Sequence, residues 1–326
     1  MSRRSFVLRR LAGMVVTVWV VLTIGFAFVT SVADPQRYRV SNAAAMSGGN
    51  ATEAVNAYLA ATNQNVPITR RYVDWLSGLL RLDLGWSFSY EAPVWSVLVD
   101  HVEFTLAYFV PALAFAVVAG TAVRMYTVAT ESSSFGRLTD GLSYIGVSIP
   151  IFLFAYLLKW WVLPYYFVAT GDEITYFSSR SPLAPANLQA AVYPAAVMGL
   201  YLFGIQLRHA GTELGEYASA QFVKTARGKG AGVWRVGRHI VRNTVVSLLS
   251  LFFVDLLGMV LVAIVVVEAV AGVPGLGTLT LGAMQGGHDL PLMLGVSLLP
   301  VVLGVVANFA QDIGYALLYP HVDVEE

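Results

Sequence analysis

Leu11-Ala-Gly-Met-Val-Val-Thr-Val-Trp-Val-Val-Leu-Thr-Ile-Gly-Phe-Ala-Phe-Val-Thr-Ser-Val32 runs for 22 residues without one charged side chain. About 20 helical residues cross the ~30 Å hydrocarbon core of a bilayer, so this stretch is long enough to span one. Five more stretches share its character: Glu103–Val123, Leu138–Leu163, Leu188–Leu207, Val245–Val270 and Leu292–Leu318. Backbone amides inside hydrocarbon must satisfy one another, so each stretch is predicted to be a helix. The runs are continuous rather than alternating, which excludes an outer-membrane barrel. The fold class expected is an all-α integral membrane protein with six transmembrane helices.

Arg3, Arg4, Arg9 and Arg10 before the first run, and Ser31-Val32-Ala33 after it, would also suit a cleaved secretory signal. Signal cores are usually 7–15 residues, shorter than this one, so the segment is read as a retained helix.

The rest of the composition agrees. Of 326 residues, 57% are apolar and 12% charged, whereas a soluble domain carries about 25% charge. Twenty basic residues balance twenty acidic ones, so no basic excess exists for nucleic acid. The absence of cysteine excludes disulfides, thiolate metal sites and a cysteine nucleophile.

Six spans put both termini on one side. With that side cytoplasmic, thirteen of the twenty basic residues lie inside: the four N-terminal arginines, Arg124 and Arg137, and the seven from Arg208 to Arg242. Six lie outside, mostly in one long loop, and long loops count for little in the positive-inside rule. A multi-pass protein of the cell membrane with cytoplasmic termini is expected. Trp160, Trp161, Tyr165 and Tyr166 would mark the outer end of span three, and Lys159 beside them is read as snorkelling outward, the alternative being a substrate or gating charge.

The chain divides into residues 1–32 (tail and first span), an extracytoplasmic region 33–101, and a five-helix core 102–326. The extracytoplasmic region holds an amphipathic helix at Ile68–Leu82, with Tyr72, Trp75, Leu76, Leu79 and Leu82 at helical spacing. Gly48-Gly49-Asn50 marks a break before it. The simpler reading of this region is a small cap on the membrane; the sharper is a landing surface for an extracellular solute-binding protein. Pro164–Asn187 is expected to be an irregular outer loop.

The cytoplasmic loop 208–243 carries the most information. Glu216 to Arg227 reads as a helix, followed by glycines at 228, 230 and 232, which a helix interior tolerates poorly at about 1 kcal/mol each. A second short helix then places Val233, Val236 and Ile240 on one stripe and Arg235, Arg238 and Arg242 on another. Spacing alone leaves two readings open: a lever seated in another protein's groove, or an amphipathic segment on anionic lipid.

Phe222-Val223-Lys224-Thr225-Ala226-Arg227-Gly228-Lys229-Gly230, followed by Arg238-His239-Ile240-Val241-Arg242-Asn243, resembles the coupling loop of ABC importer permeases of the dipeptide/oligopeptide/nickel family. Leu8-Arg9-Arg10-Leu11, Tyr72–Trp75 with Leu79–Ser87, Val267-Glu268-Ala269-Val270 with Pro274-Gly275-Leu276-Gly277, and Tyr315–Pro320 resemble that family's other motifs, in order. The resemblance covers nearly the whole chain. It implies the type I ABC importer fold and a subunit that is not itself an enzyme. It implies a second homologous permease subunit, two cytoplasmic ATPase subunits that bind the ATP and magnesium, and an extracytoplasmic solute-binding protein. Residues 222–230 would dock on the ATPase, with Gly230 as the turning point. The usual solutes of the family are peptides, though relatives carry nickel or sugars. Ser247 stands where the family commonly has proline, which suggests a straighter junction into span five.

Glu268, Pro274, Gly275 and Gly277 are the pathway or gate candidates, because a carboxylate inside a membrane needs water or a partner and the turn 272–277 has the makings of a lid. Asp312 is better explained by interfacial solvation, and Asp255 has no assigned role. Pro111, Pro150 and Pro300 are expected to kink their helices. His288-Asp289 reads as a solvated loop pair. No Walker-type phosphate loop and no HExxH motif occur. An ion-coupled carrier would show internal repeats and an intramembrane enzyme a nucleophile and base at one depth, and neither pattern is visible.

Overall fold

A computed structural model describes residues 3–32, 34–130, 133–170, 175–218, 220–255, 261–285 and 289–318. In chain order the elements are α1 (Arg3–Ser31), α2 (Pro35–Met46), α3 (Ala51–Ala61), α4 (Ile68–Leu79), β1 (Trp86–Ser87), β2 (Ala92–Pro93), α5 (Val94–Thr130), α6 (Ser133–Ser148) and α7 (Ile151–Thr170). They continue with α8 (Pro185–Ala218), α9 (Gln221–Gly228), α10 (Val233–Asp255), α11 (Leu261–Ala271), α12 (Leu276–Gln285) and α13 (Leu290–Leu318).

Among the described residues three uninterrupted helical segments are long and apolar enough to cross a membrane, and two bent helix pairs bring the number to five. Residues 290–305 of α13 form a further, shorter apolar helix. The predicted single helix Leu138–Leu163 is in fact the bent pair α6 and α7, which turns by 102°. Pro150 is the cause: it lacks an amide to donate and disfavours helical geometry at the residue before it. Pro111 and Pro300, by contrast, lie inside continuous helices.

The chain forms two compact units. The first comprises the described residues within 1–102 and 279–305. The predicted amphipathic helix appears here as α4, which lays Tyr72 and Trp75 against Phe26 of α1 with ring centroids 5.3 and 5.2 Å apart. It stops at Leu79 rather than Leu82, because Leu82 sits at φ 60. Two helices that sequence periodicity did not mark precede it. Asp34 caps α2 by accepting the Gln36 amide at 2.9 Å, and Asn50 caps α3 by accepting the Thr52 amide at 3.0 Å. The expected break lies between them, with Gly48 at φ 74. Asp289 is not the solvated residue predicted: it is buried, accepts the Ser87 hydroxyl at 2.6 Å and the Ser89 amide at 3.0 Å, and caps α13 through the Leu292 amide. His288 lies outside the described residues.

The second unit comprises the described residues within 103–278 and 306–318. Helix α8 is its axis, and small residues set the spacing along it. A Cβ on Gly204 would lie 3.0 Å from the Cα of Gly146, so α6 and α8 cross at backbone distance. Gly211 makes room for Arg124 in the same way. Arg124 is therefore not an exposed topology charge. It is buried, donates to the Leu207 carbonyl at 2.7 Å and the Thr139 hydroxyl at 3.1 Å, and pairs with Asp140 at 2.6 Å. The loop predicted over 164–187 is shorter, since α7 continues to Thr170 and α8 begins at Pro185.

Candidate functional site

Residues 208–243 depart from the predicted pattern at their start. Helix α8 continues through Arg208 to Ala218, and α9 begins at Gln221, so the predicted helix 216–227 is two helices. Helix α9 has two faces. Val223 is fully buried in a cluster with Ala129, Ala210, Leu214, Val236, Ile240 and Leu248. Beside it, Arg227 donates to the Val128 and Ala129 carbonyls, both at 3.3 Å, at the end of α5. These are the carbonyls a helix leaves without partners in its last turn, and a cation there is favoured by the helix dipole. Phe222, Lys224, Thr225 and Lys229 face outward.

Of the three glycines, one is required by the backbone. Gly230 lies at φ 74, while the Ala231 amide reaches back to the Ala226 carbonyl at 3.0 Å. That six-residue closure is a Schellman turn, whose left-handed position glycine fills without steric cost. Gly228 is the last residue of α9, and neither it nor Gly232 has a positive φ. After the turn, Val236 and Ile240 are buried and Arg235, Arg238 and Arg242 exposed, as the predicted stripe requires. Helix α10 then runs unbroken through position 247 to Asp255, consistent with serine rather than proline there.

The second group of candidates forms an elbow. The main chain leaves α11 at Gly272, φ 71, with the Gly272 and Val273 amides both returning to the Glu268 carbonyl. The Glu268 side chain is fully buried, so neither interfacial water nor an open path surrounds it. Its Oε1 accepts the Thr105 hydroxyl at 2.7 Å and the Tyr108 hydroxyl at 3.1 Å, both from α5. Its Oε2 accepts the Gly277 amide at 2.6 Å and the Thr278 amide at 3.2 Å, at the start of α12. Thr105 in turn accepts the Leu276 amide at 2.9 Å. Four donors on one carboxylate match its full acceptor capacity, and a carboxyl at a helix N-terminus is electrostatically favoured. Glycine is needed twice because a Cβ on Gly275 would strike this carboxylate, and one on Gly277 would lie 2.6 Å from the Cα of Val265.

Outside the spans, burial first and the neighbouring Glu268 second push the Tyr176 phenol upward; its hydroxyl is buried with no hydrogen-bond partner among the described residues. Lys159 donates to the Val270 carbonyl at 2.6 Å, so it caps the end of α11 rather than reaching toward headgroups. Thr105, Tyr108 and the Arg124–Asp140 pair were not singled out from sequence. The i, i+3 spacing of Thr105 and Tyr108, the one polar face of an apolar span, was the available signal.

Comparison with known proteins finds relatives along most of the chain. The chain is 26% identical over 345 residues to the dipeptide transport system permease protein DppB of Escherichia coli, covering 98% of each. It is 27% identical over 286 residues to a protein of Brucella abortus provisionally named a peptide transport system permease, covering 84% of this chain and 86% of that one. The family model for binding-protein-dependent transport system inner membrane components matches residues 112–324, which take in the two-faced helix, its glycine turn and the elbow. This chain belongs to that family of membrane permease components.

Proposed function

We propose that the chain is a non-catalytic permease subunit of an ATP-driven importer for short peptides or similar small solutes. It works with a second homologous permease subunit, two cytoplasmic ATPase subunits carrying ATP and magnesium, and an extracytoplasmic binding protein. The carrying observation is the split of α9 into an anchored face and an open one. The exposed Phe222, Lys224, Thr225 and Lys229 suit the groove of an ATPase, while Val223 and Arg227 tie the helix to α5. In this reading α9 and both termini are cytoplasmic, which the distribution of basic residues supports.

Helix α5 supplies the mechanical link. Arg227 holds its end at Val128 and Ala129, and Glu268 holds it at Thr105 and Tyr108. The 25 residues from Thr105 to Ala129 span about 36 Å of helix, more than the hydrocarbon core. Movement of α9 on the ATPase would therefore be carried along α5 to the elbow 272–278. Glu268, Pro274, Gly275 and Gly277 act in this reading as the rigid hinge piece of a gate, not as groups that touch solute. The peptide class is supported by the names of the relatives.

Reconstitution of the whole complex in proteoliposomes tests the reading. Uptake of a labelled dipeptide should require ATP, the ATPase subunits and the binding protein. Uptake driven by a proton gradient without ATP would overturn it.

A further inference from the structure

Outside the elbow and the two-faced helix, the first unit holds an arginine without a hydrogen-bond partner among the described residues. Arg71 of α4 is half-buried, yet its guanidinium makes no hydrogen bond or ion pair among the described residues. It lines a polar cavity of about 200 Å³ with Thr30, Ser31, Asp34, Arg37 and Gln64. Asp34 is the one carboxylate on its wall; its oxygens accept the Gln36 amide, the Tyr58 hydroxyl and the Gln64 amide group, and it reaches Arg71 through its charge without a direct hydrogen bond. Arg37 spends one N–H on Gln64, at 2.7 Å. The cavity presents two guanidinium groups to one carboxylate. Burial first and the neighbouring Arg37 second push the Arg71 pKa down, against a smaller upward pull from Asp34.

Position says which anion is at hand. The 22 apolar residues from Leu11 to Val32 rise about 33 Å, close to the ~30 Å of hydrocarbon. Thr30 and Ser31 of the cavity wall thus fall at the headgroup boundary opposite Leu11. Arg71 also lines a second, mixed cavity of about 290 Å³, whose walls include the apolar Phe26, Trp75, Phe88, Leu290 and Leu294 and the carboxylates Asp74 and Asp83. An anionic cavity partner with an apolar neighbour is what a glycerophospholipid offers.

We propose that Arg71 and Arg37 form a binding site for the phosphate of a phospholipid headgroup, with the lipid's apolar part along the Phe26–Trp75 cavity. The planar guanidinium suits bidentate contact with phosphate oxygens, so lysine would be a poorer substitute. Bound lipid would tie α4 to α1 at one membrane surface.

The test uses the full chain in detergent, titrated with short-chain phosphatidylglycerol and read by native mass spectrometry. The lipid should bind at least about tenfold more tightly than the matching diacylglycerol, which lacks the phosphate. Arg71→Ala should abolish that preference, Arg71→Lys should keep part of it, and Arg70→Ala, altering an exposed residue on the same helix, should leave it intact. Circular dichroism checks that each variant is folded. Equal binding of the two lipids, or an unchanged preference in Arg71→Ala, would overturn the site. So would inorganic phosphate binding as tightly as the lipid, or trialanine displacing it while trialanine amide does not, which would mark a free-anion or a peptide-carboxylate site instead.

Discussion

The carboxylate of Glu268 accepts the hydroxyl of Thr105, 163 residues earlier in the chain, at 2.7 Å. Through its second oxygen the same side chain holds the first amides of α12. One buried group thereby joins α5, α11 and the elbow between α11 and α12.

Glu268→Ala should be severely destabilising. It strands the Thr105, Tyr108, Gly277 and Thr278 donors, and buried unsatisfied donors cost about 1–3 kcal/mol each. A net loss of about 3 kcal/mol or more is expected in thermal unfolding of the purified chain. Glu268→Gln should lose much less, because its oxygen can serve the two backbone amides while the hydroxyls of Thr105 and Tyr108 turn to accept its NH2. Equal losses in the two variants would remove the network from the explanation.

Gly230→Val should uncouple the machine while sparing insertion. A β-branched residue at φ 74 is strained by about 1–2 kcal/mol, which opens the Schellman turn between α9 and α10. ATP-dependent uptake is expected to fall at least about tenfold, a 1.4 kcal/mol effect, with protein levels in the membrane unchanged. Gly228→Ala and Gly232→Ala, which have open space and ordinary φ, should transport normally. Wild-type uptake in Gly230→Val would detach the turn from coupling.

Gly204→Val tests the backbone-distance crossing of α6 and α8. Its side chain has no room beside Gly146, and overpacking typically costs about 1–3 kcal/mol. A drop in the thermal midpoint is expected, together with increased aggregation on solubilisation. Gly136→Val, where nothing lies within 4 Å, is the matched control and should be near neutral.

Topology can be read directly, because the chain has no cysteine of its own. A cysteine replacing Met46, which is 91% exposed, should react in intact cells with a membrane-impermeant maleimide. A cysteine replacing Gly228 should react only after permeabilisation. Labelling of the Gly228 variant from outside would invert the orientation and end the ATPase-docking reading.

Sequence alone determined the membrane class, the helical character, the basic face of Arg235, Arg238 and Arg242, and the glycine turn at 230. These are local properties: apolar run length, helical periodicity and the φ that only glycine reaches cheaply. Helices α2 and α3 escaped because their apolar faces are weak and their caps, Asp34 and Asn50, look like ordinary polar loop residues. Tertiary structure decided the rest. Whether Glu268 met water or donors and whether Lys159 reached headgroups or a helix end depended on residues far away in the chain, and Arg124 became a buried anchor only through the packing of α5 with α6 and α8. An ionisable side chain inside a membrane must find partners, and sequence shows the need without showing which helix, 100 or more residues distant, meets it.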